Sequence, residues 1–304
     1  MTRRRDDFVQ PFQIEAPEIR GRLVRLGPSL DAILRGHGYP QPVASMLAEI
    51  LVLTCVLGSG LKFDGIFTLQ IHGDGPIGLV VADLTSAGDL RGYVRYDHDR
   101  LVTAGPRPEG PVPHLIGAGR MAFTVDQGPH AERYQGITAL EGATVADCAH
   151  AHLRQSEQLE TAIILRAAVS EASASGGEQR AAALMLQRLP PRSPALMDAE
   201  EDWRRSVALM SSVTPEELLD PSVAAAEVLY RLFHEDGVRM FKTRPLRHRC
   251  RCSRARVERT LRAFPSAEVG SFVEDDGAVR VRCEFCAAEY IFDEADLERL
   301  SFPQ

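Results

Sequence analysis

The sequence His248-Arg-Cys-Arg-Cys252, followed thirty residues later by Cys283-Glu-Phe-Cys286, decides how the last part of this chain folds. These two short pairs contain four of the six cysteines. Each pair can present two thiolates to one side of a metal ion, and the intervening segment can bring the second pair round to complete a tetrahedral zinc site. The same four sulfurs could instead form two disulfides, so the residues alone leave a structural zinc site and a redox switch open.

The C-terminal stretch is short for a domain that depends on its own hydrophobic core. Only 64 residues run from Phe241 to Gln304, and domains below about 70 residues are rarely stable without a disulfide, a metal or a partner. Zinc binding is worth about 10–16 kcal/mol in small zinc peptides, and much of this is folding free energy. The sequence therefore predicts a zinc-binding domain that unfolds when its metal is removed.

Basic residues surround the first cysteine pair. The stretch 239–262 has ten lysines or arginines and one acid, Glu258, so its net charge is +9. The whole chain has a net charge of -7, which leaves -16 for the remainder. Because a nearby arginine lowers the pKa of a thiol, we expect Arg249, Arg251 and Arg254 to stabilise thiolates at the first pair.

A basic surface beside a zinc site is also typical of nucleic-acid-binding zinc ribbons. Two observations disfavour this function: few aromatic residues interleave the basic stretch, and the rest of the chain is acidic. A nucleic-acid-binding zinc ribbon is therefore kept as the alternative function, and nucleic acid is not the partner that the sequence favours.

A helical pattern precedes the zinc-binding domain. Thr214-Pro-Glu-Glu217 is a capping box with proline at the first helical position, and a further helix is predicted from near Asp220 to before Gly237. Isolated helices shorter than about 12–15 residues are marginal in water. The order of this segment is therefore expected to depend on packing against another part of the protein.

The N-terminal part reads as a mixture of helices and strands. Apolar residues at helical spacing predict a helix over 22–34, and the apolar stretch 43–57 predicts a buried helix that is too short to span a bilayer. Three β-rich segments separated by tight turns predict an antiparallel meander over 65–96. Further strands are predicted over 121–125, 161–169 and 181–189, and Thr144 is predicted to begin a helix.

Together these patterns predict an α+β protein in three parts. An N-terminal α/β domain with a mainly antiparallel sheet covers residues 1–194 and ends at the proline cluster 190–194. A helical linker covers residues 195–240, and the small C-terminal zinc-binding domain covers residues 241–304.

The sequence contains no convincing catalytic or nucleotide-binding motif, so the chain is not expected to be an enzyme. The glycines of 73–78 match a dinucleotide-binding pattern, but a strand follows them where that pattern requires a helix. Cys148, His150 and His152 are too weak a set for a metal site, because position 150 points away from the face that 148 and 152 share; we interpret them as helix-surface residues. Cys55 is interpreted as a core residue.

The N-terminus does not predict export. Arginines at positions 3–5 are followed by acids, whereas a secretory signal has an apolar run there. The expected location is cytoplasmic, with no membrane partner. In that compartment clustered cysteines are more often metal-bound or redox-active than permanently bridged.

The chain resembles the redox-regulated 33-kilodalton heat-shock chaperone family (HslO) over nearly its full length. The terminal cysteine pairs match the family pattern, and the other matching segments occur in the family order: Arg35-Gly-His-Gly-Tyr-Pro40, Leu61-Lys-Phe63, Leu69-Gln-Ile-His-Gly-Asp-Gly-Pro76, Leu79-Val-Val-Ala-Asp83, Tyr134-Gln-Gly136, Arg154-Gln-Ser-Glu-Gln158 and Leu186-Gln-Arg-Leu-Pro190. The resemblance implies that Cys250, Cys252, Cys283 and Cys286 bind one zinc ion per chain in the reduced form.

The same resemblance implies a chaperone of the holdase type that hydrolyses no ATP and protects unfolding client proteins during oxidative stress. Oxidation would release the zinc and join neighbouring cysteines, Cys250 to Cys252 and Cys283 to Cys286. The zinc-binding domain would then unfold, the linker would lose order, and apolar surface would become available to clients. Oxidised members of the family are expected to form homodimers.

Overall fold

The apolar stretch predicted as a buried helix is the central helix of the protein and spans Gln41–Gly58. Fourteen of its 18 residues are buried, and the buried positions lie on every side of the helix. By length and composition it could cross a membrane, but most of it is buried inside the protein. It is therefore a core helix, as an all-round apolar helix in a globular protein should be.

The computed structural model describes residues 6–15, 19–104, 110–128, 131–156, 160–170, 178–189 and 199–300. The chain divides into two compact units, residues 1–248 and 249–304, called here the first and second units. The predicted turn at 176–177 and the predicted domain boundary at 190–194 lie outside the described residues.

The strands of the described residues are, in chain order, β1 (Phe8–Ile14), β2 (Ile19–Leu26), β3 (Ile66–Gly73), β4 (Ile77–Thr85), β5 (Asp89–Tyr96), β6 (Gly119–Asp126), β7 (Tyr134–Ala139), β8 (Thr161–Ala168), β9 (Arg180–Arg188), β10 (Val238–Met240), β11 (Arg244–Pro245), β12 (Arg247–His248), β13 (Val279–Arg282) and β14 (Glu289–Phe292). The α-helices are α1 (Pro28–Arg35), α2 (Gln41–Gly58), α3 (His98–Thr103), α4 (Val145–Ser156), α5 (Ala199–Ser211), α6 (Pro215–Leu219), α7 (Ala225–Phe233), α8 (Arg254–Leu261), α9 (Ser266–Gly270) and α10 (Glu294–Arg299).

The first unit contains two six-stranded sheets. The first sheet has the order β10-β1-β2-β9-β8, with β11 also paired to β1, and all its pairings are antiparallel. The second sheet has the order β12-β5-β4-β3-β6-β7, in which only the two-residue β12 is parallel to its neighbour. The predicted meander is therefore the β3-β4-β5 part of the second sheet, and the predicted α+β class is confirmed.

Helix α2 packs against strands of both sheets, so that one hydrophobic cluster joins the two sheets through the helix. The opposite face of the first sheet is covered by helices α5 to α7. Phe12, Leu23 and Leu184 on this face form a second cluster with Trp203 of α5 and Phe233 of α7. The first sheet is thus buried on both faces.

This double burial explains why the predicted helix over 22–34 is wrong. Residues up to Leu26 belong to strand β2, which is paired to β1 on one side and β9 on the other, and only Pro28–Arg35 is helical. A strand buried on both faces lacks polar alternation, so its apolar residues can imitate helical spacing. Gly21 fits this strand because the ring of Phe12 lies where a β-carbon would be.

The compact units differ from the three-part division made from the sequence. Residues 241–248 group with the first unit, because β11 pairs with β1 and β12 pairs with β5. The described linker helices also belong to the first unit, where they pack on the first sheet. The helical linker predicted over 195–240 stays a prediction.

Candidate metal centre

The two cysteine pairs of the second unit lie in differently built segments. Cys250 and Cys252 lie just before helix α8, whose first turn is capped by the Ser253 hydroxyl accepting from the Arg256 N–H. Cys283 and Cys286 lie in the turn between β13 and β14. In that turn the Ala287 N–H donates to the carbonyl of Cys283 at 2.8 Å, and Ala287 has a φ of 57°.

The turn brings the second pair onto the first. The Sγ atoms of Cys250, Cys252, Cys283 and Cys286 all lie within 4.8 Å of one another. The distance from Cys250 Sγ to Cys283 Sγ is 3.7 Å, and that from Cys252 Sγ to Cys286 Sγ is 3.4 Å. With Zn–S bonds of about 2.3 Å, a tetrahedral ZnS4 site has sulfurs about 3.8 Å apart. The four cysteines could therefore hold a metal ion, and their donor set suits zinc.

All four cysteines are free thiols in the structure. Their sulfurs are much farther apart than the roughly 2.05 Å of a disulfide bond, and the two short distances join one motif to the other. The local pairing that the family resemblance implies, Cys250 with Cys252 and Cys283 with Cys286, is not tested by this arrangement and stays a prediction.

The thiols differ in acidity. Burial disfavours the Cys250 thiolate, but hydrogen bonds from the Cys252 backbone and from the neighbouring thiols outweigh it and lower the pKa of Cys250 to about 7. Burial raises the pKa of Cys286 and of Cys283. A thiolate at Cys250 is thus available near neutral pH, as metal binding and oxidation both require.

Tyr290 on β14 is a functional candidate that the cysteine spacing does not indicate. Its hydroxyl donates to Cys252 Sγ at 3.1 Å, and this bond raises the pKa of Tyr290 to about 12. A donor of this kind orients a metal ligand and stabilises its thiolate. The alternation of exposed and more buried residues along β14 places Tyr290 on the inner face. Only the pairing of β13 with β14 brings its hydroxyl to a cysteine.

The prediction that Arg254 stabilises the thiolates of the first cysteine pair is wrong, because its guanidinium is bound elsewhere. Its guanidinium forms an ion pair with Asp296, donates to the carbonyl of Ile291 at 2.8 Å and lies 4.4 Å from the centre of the Phe292 ring. Arg254 therefore ties α8 to α10 and β14, and hydrogen bonds within the cysteine cluster lower the pKa of Cys250.

The second unit has little core besides the cysteine cluster. Its buried apolar cluster consists of Leu261, Val279, Phe292 and Leu300. Complete burial of such a side chain contributes about 1.5–3 kcal/mol, which is small against the entropy of ordering a domain of this size. The structure is therefore consistent with the expectation that a bound metal supplies much of the folding free energy.

The interpretation of Cys148, His150 and His152 as surface residues is wrong. Cys148 and His152 are buried, and His152 stacks on Phe123 with ring centres 4.1 Å apart. His150 Nε2 accepts a hydrogen bond of 2.8 Å from the Ile163 N–H. His152 and His150 hold α4 against the two sheets. Their burial follows from the tertiary packing of α4, which the sequence does not reveal. Cys55 is buried in α2, as predicted.

The fold and the cysteine cluster define an α+β protein with a C-terminal four-thiol centre. The profile of the Hsp33 protein family matches residues 7–293. The 33 kDa chaperonin of Caulobacter vibrioides is 40% identical over 292 residues, which cover 95% of each chain. The 33 kDa chaperonin of Nitrosococcus oceani is 38% identical over 294 residues, which cover 97% of this chain and 94% of that protein. The chain therefore belongs to the Hsp33 family of chaperones.

A solved structure agrees with this assignment at the level of the fold. The crystal structure of the 33 kDa chaperonin from Thermotoga maritima matches with a TM-score of 0.80 over 97% of each chain, at 22% sequence identity. The family resemblance inferred from the sequence is thus confirmed.

Proposed function

We propose that this protein is a redox-regulated, ATP-independent holdase that binds unfolding proteins during oxidative stress. The observation that carries the proposal is the cluster of four free thiols within 4.8 Å in a chain of the Hsp33 chaperone family. The cluster is small enough to be held by one metal ion, and all its members are close enough for oxidation to disulfides after local rearrangement.

In the reduced form the four thiolates would bind one zinc ion, which would supply the crosslink that keeps the second unit folded. Two molecules of hydrogen peroxide would take up the four electrons of four thiolates. With four protons from solvent, the products would be two disulfides and four waters, and the zinc ion would leave.

Loss of the metal would unfold the second unit and weaken the linker. Helices α6 and α7 have only 5 and 9 residues, so their order depends on the face of the first sheet that they cover. The segment 238–248 holds the end of the linker in place through β10, β11 and β12. Unfolding of the residues just after His248 would leave this segment less firmly held.

The surface that would then open is apolar. Phe12, Leu23 and Leu184 are completely or almost completely buried beneath the linker helices. Exposed together they would form a contiguous hydrophobic patch of the kind that marks a protein-binding surface. We propose this face of the first sheet as a client-binding surface, with a homodimer as the oxidised form and the cytoplasm as the location.

The experiment uses the zinc-loaded, reduced full chain. Peroxide with mild heat should release one zinc ion per chain, consume four thiols and cause suppression of the aggregation of a denatured client in the absence of ATP. Gel filtration of the same sample should report the dimer. Equal suppression by the reduced, zinc-bound protein would refute the switch.

Two cysteine variants sharpen the test. Cys286→Ser should lose tight zinc binding, whereas Cys148→Ala, which removes a thiol outside the cluster, should keep zinc and activation. Retention of both zinc and peroxide-dependent activation by Cys286→Ser would show that the cluster is not the sensor.

A further inference from the structure

A basic groove in the first unit is not used by the proposed redox switch. It has a volume of about 1040 Å³ and lies beyond the C-terminal end of α2. Its walls come from β1 and β2, from the loop after α2, from the β4–β5 turn, and from residues 241–246.

Among the described residues, five cationic side chains and no carboxylate line this groove. They are Arg20, Arg22, Lys62, Lys242 and Arg244. Within the described part of the chain, none of the five forms an ion pair, although arginines elsewhere, such as Arg91 and Arg205, pair with acids. A protein with a net charge of -7 thus gathers five unneutralised cations on one concave surface.

The backbone around the groove fixes where these cations lie. A β-carbon on Gly60 would be 2.5 Å from Arg22 Nη2, so the Arg22 guanidinium lies directly against this glycine. Arg244 Nη1 donates to the carbonyl of Ser59 at 3.1 Å. Both guanidinium groups therefore meet at the end of α2, where the helix dipole offsets only about half of one charge.

Lys242 is held on the same wall by its neighbours. Gln10 Nε2 donates to the carbonyl of Phe241 at 2.7 Å, and Gln10 Oε1 accepts from the Thr243 hydroxyl at 2.7 Å. The segment 241–243 is thereby held against β1 on both sides of Lys242, which fixes the lysine backbone at the edge of the groove.

The cations destabilise one another. Burial first, and then repulsion by Arg20 and Arg244, lower the pKa of Arg22 to about 10. Guanidinium groups bind phosphate oxygens in bidentate geometry, and lysine adds a point charge. A bound polyanion would relieve the repulsion as well as gain these hydrogen bonds.

We propose that this groove is a binding site for a small phosphate-bearing polyanion of the oligophosphate class. Several adjacent anionic groups match five cations better than a single carboxylate does. Single-stranded RNA fits less well, since its recognition depends on aromatic stacking platforms, and Phe241, 45% exposed, is the only large exposed aromatic side chain among the described residues of the lining.

The basic stretch 239–262, which reads as one feature in the sequence, is divided between the two units. Lys242 and Arg244 belong to the first unit, whereas residues from Arg249 onward belong to the second. The first part of the stretch therefore completes a site with Arg20, Arg22 and Lys62, more than 170 residues earlier in the chain.

The test is calorimetric titration of inorganic tripolyphosphate into the reduced, zinc-loaded full chain. We expect saturable binding that weakens as salt concentration rises. Arg22→Gln and Arg244→Gln should each weaken binding at least tenfold. Arg259→Gln, which removes an exposed charge of the same kind from α8, should bind like the unchanged protein.

Zinc content and circular dichroism check that each variant is folded. If Arg22→Gln does not fold, the double variant Lys62→Gln with Lys242→Gln, both at exposed positions, replaces it and should show the same loss. Absence of tripolyphosphate binding, or equal binding by the groove variants and Arg259→Gln, would overturn the proposal. Tighter, groove-dependent binding of a short single-stranded RNA would overturn the oligophosphate assignment in favour of nucleic acid.

Discussion

Arg25 is the polar contact through which the first sheet holds the linker helices. Its side chain is 1% exposed and donates from Nε to the carbonyl of Leu218, from Nη1 to that of Val223 and from Nη2 to that of Glu217, at 2.8, 2.5 and 2.8 Å. Two of these carbonyls belong to the last turn of α6, where helical carbonyls lack partners within the helix.

Replacement of Arg25 by methionine keeps much of the apolar stem and removes all three donors. Each hydrogen bond to a charged group is worth about 1.5–3 kcal/mol. The cost of removing the charged guanidinium from water opposes this gain. The same desolvation lowers the pKa of Arg25. The substitution leaves the three carbonyl groups without these donors, and a buried acceptor left unpaired costs about 1–3 kcal/mol. We expect linker docking to weaken by about 3 kcal/mol, a change of roughly 100-fold in the docked-to-undocked ratio.

Hydrogen exchange of the reduced, zinc-loaded protein measures this directly. Residues 199–233 should exchange faster in Arg25→Met, while β3 to β6 keep their protection. If client binding requires linker undocking, the variant should also suppress client aggregation at a lower peroxide dose.

The matched control is Arg204→Met, because Arg204 pairs with Glu200 on the exposed surface of α5, and exposed ion pairs contribute about 0–1 kcal/mol. Unchanged protection of 199–233 in Arg25→Met would refute the argument. So would an equal loss of protection in Arg204→Met.

Three further predictions concern other parts of the chain. Tyr290→Phe should lower zinc affinity by about 10–100-fold, because it removes the hydrogen bond to Cys252 Sγ; competition with a chromogenic chelator measures this. Metal removal should unfold the second unit, whose buried apolar cluster is small, while β3 to β6 of the first unit stay folded, as hydrogen exchange of residues 249–300 and of these strands would show. Glu49→Gln should stabilise the protein above pH 7, because burial raises the pKa of Glu49 from 4.5 to about 7.

The sign of the Glu49 effect follows from proton binding. The folded state holds the Glu49 proton more tightly, so this contribution to stability is fully present below pH 4.5 and is lost as the pH rises through about 7. The loss amounts to at most about 3 kcal/mol. Denaturant titrations from pH 5 to 8 should therefore show a smaller decline in Glu49→Gln than in the unchanged protein, and an identical decline in both would contradict the assignment.

The other two predictions have their own controls. Tyr230→Phe removes a hydroxyl from the exposed surface of α7 and should leave zinc affinity unchanged. Equal zinc affinity in Tyr290→Phe and the unchanged protein would show that the hydroxyl does not support the centre. Full protection of residues 249–300 after chelation would show that the second unit folds without metal.

Features encoded by local chemistry were predictable from the sequence. The capping box predicted at Thr214 forms with both reciprocal hydrogen bonds, because cap and partner are only three residues apart. The core helix α2 followed from a largely apolar stretch in which Glu49 is the only charged residue. The four clustered cysteines followed from their tight spacing, which few other roles explain.

Features that depend on distant parts of the chain were not predictable. Strand β2 was mistaken for a helix because its partner β9 and the helices that cover its two faces come from other parts of the sequence. Burial on both faces removes the polar alternation that would have indicated a strand. Cys148 and His152 were expected at the surface because the sequence does not say which face of α4 meets the sheets.

The sequence by itself determined the cysteine cluster, the core helix and the family, since each rests on residue types at short spacing. Only the tertiary structure decided that Tyr290 donates to Cys252, that Arg25 holds α6, and that the basic stretch is divided between the two units. The physical reason is common to all three: a hydrogen bond or a charge cluster depends on distances of a few ångströms between residues that the chain brings together only by folding.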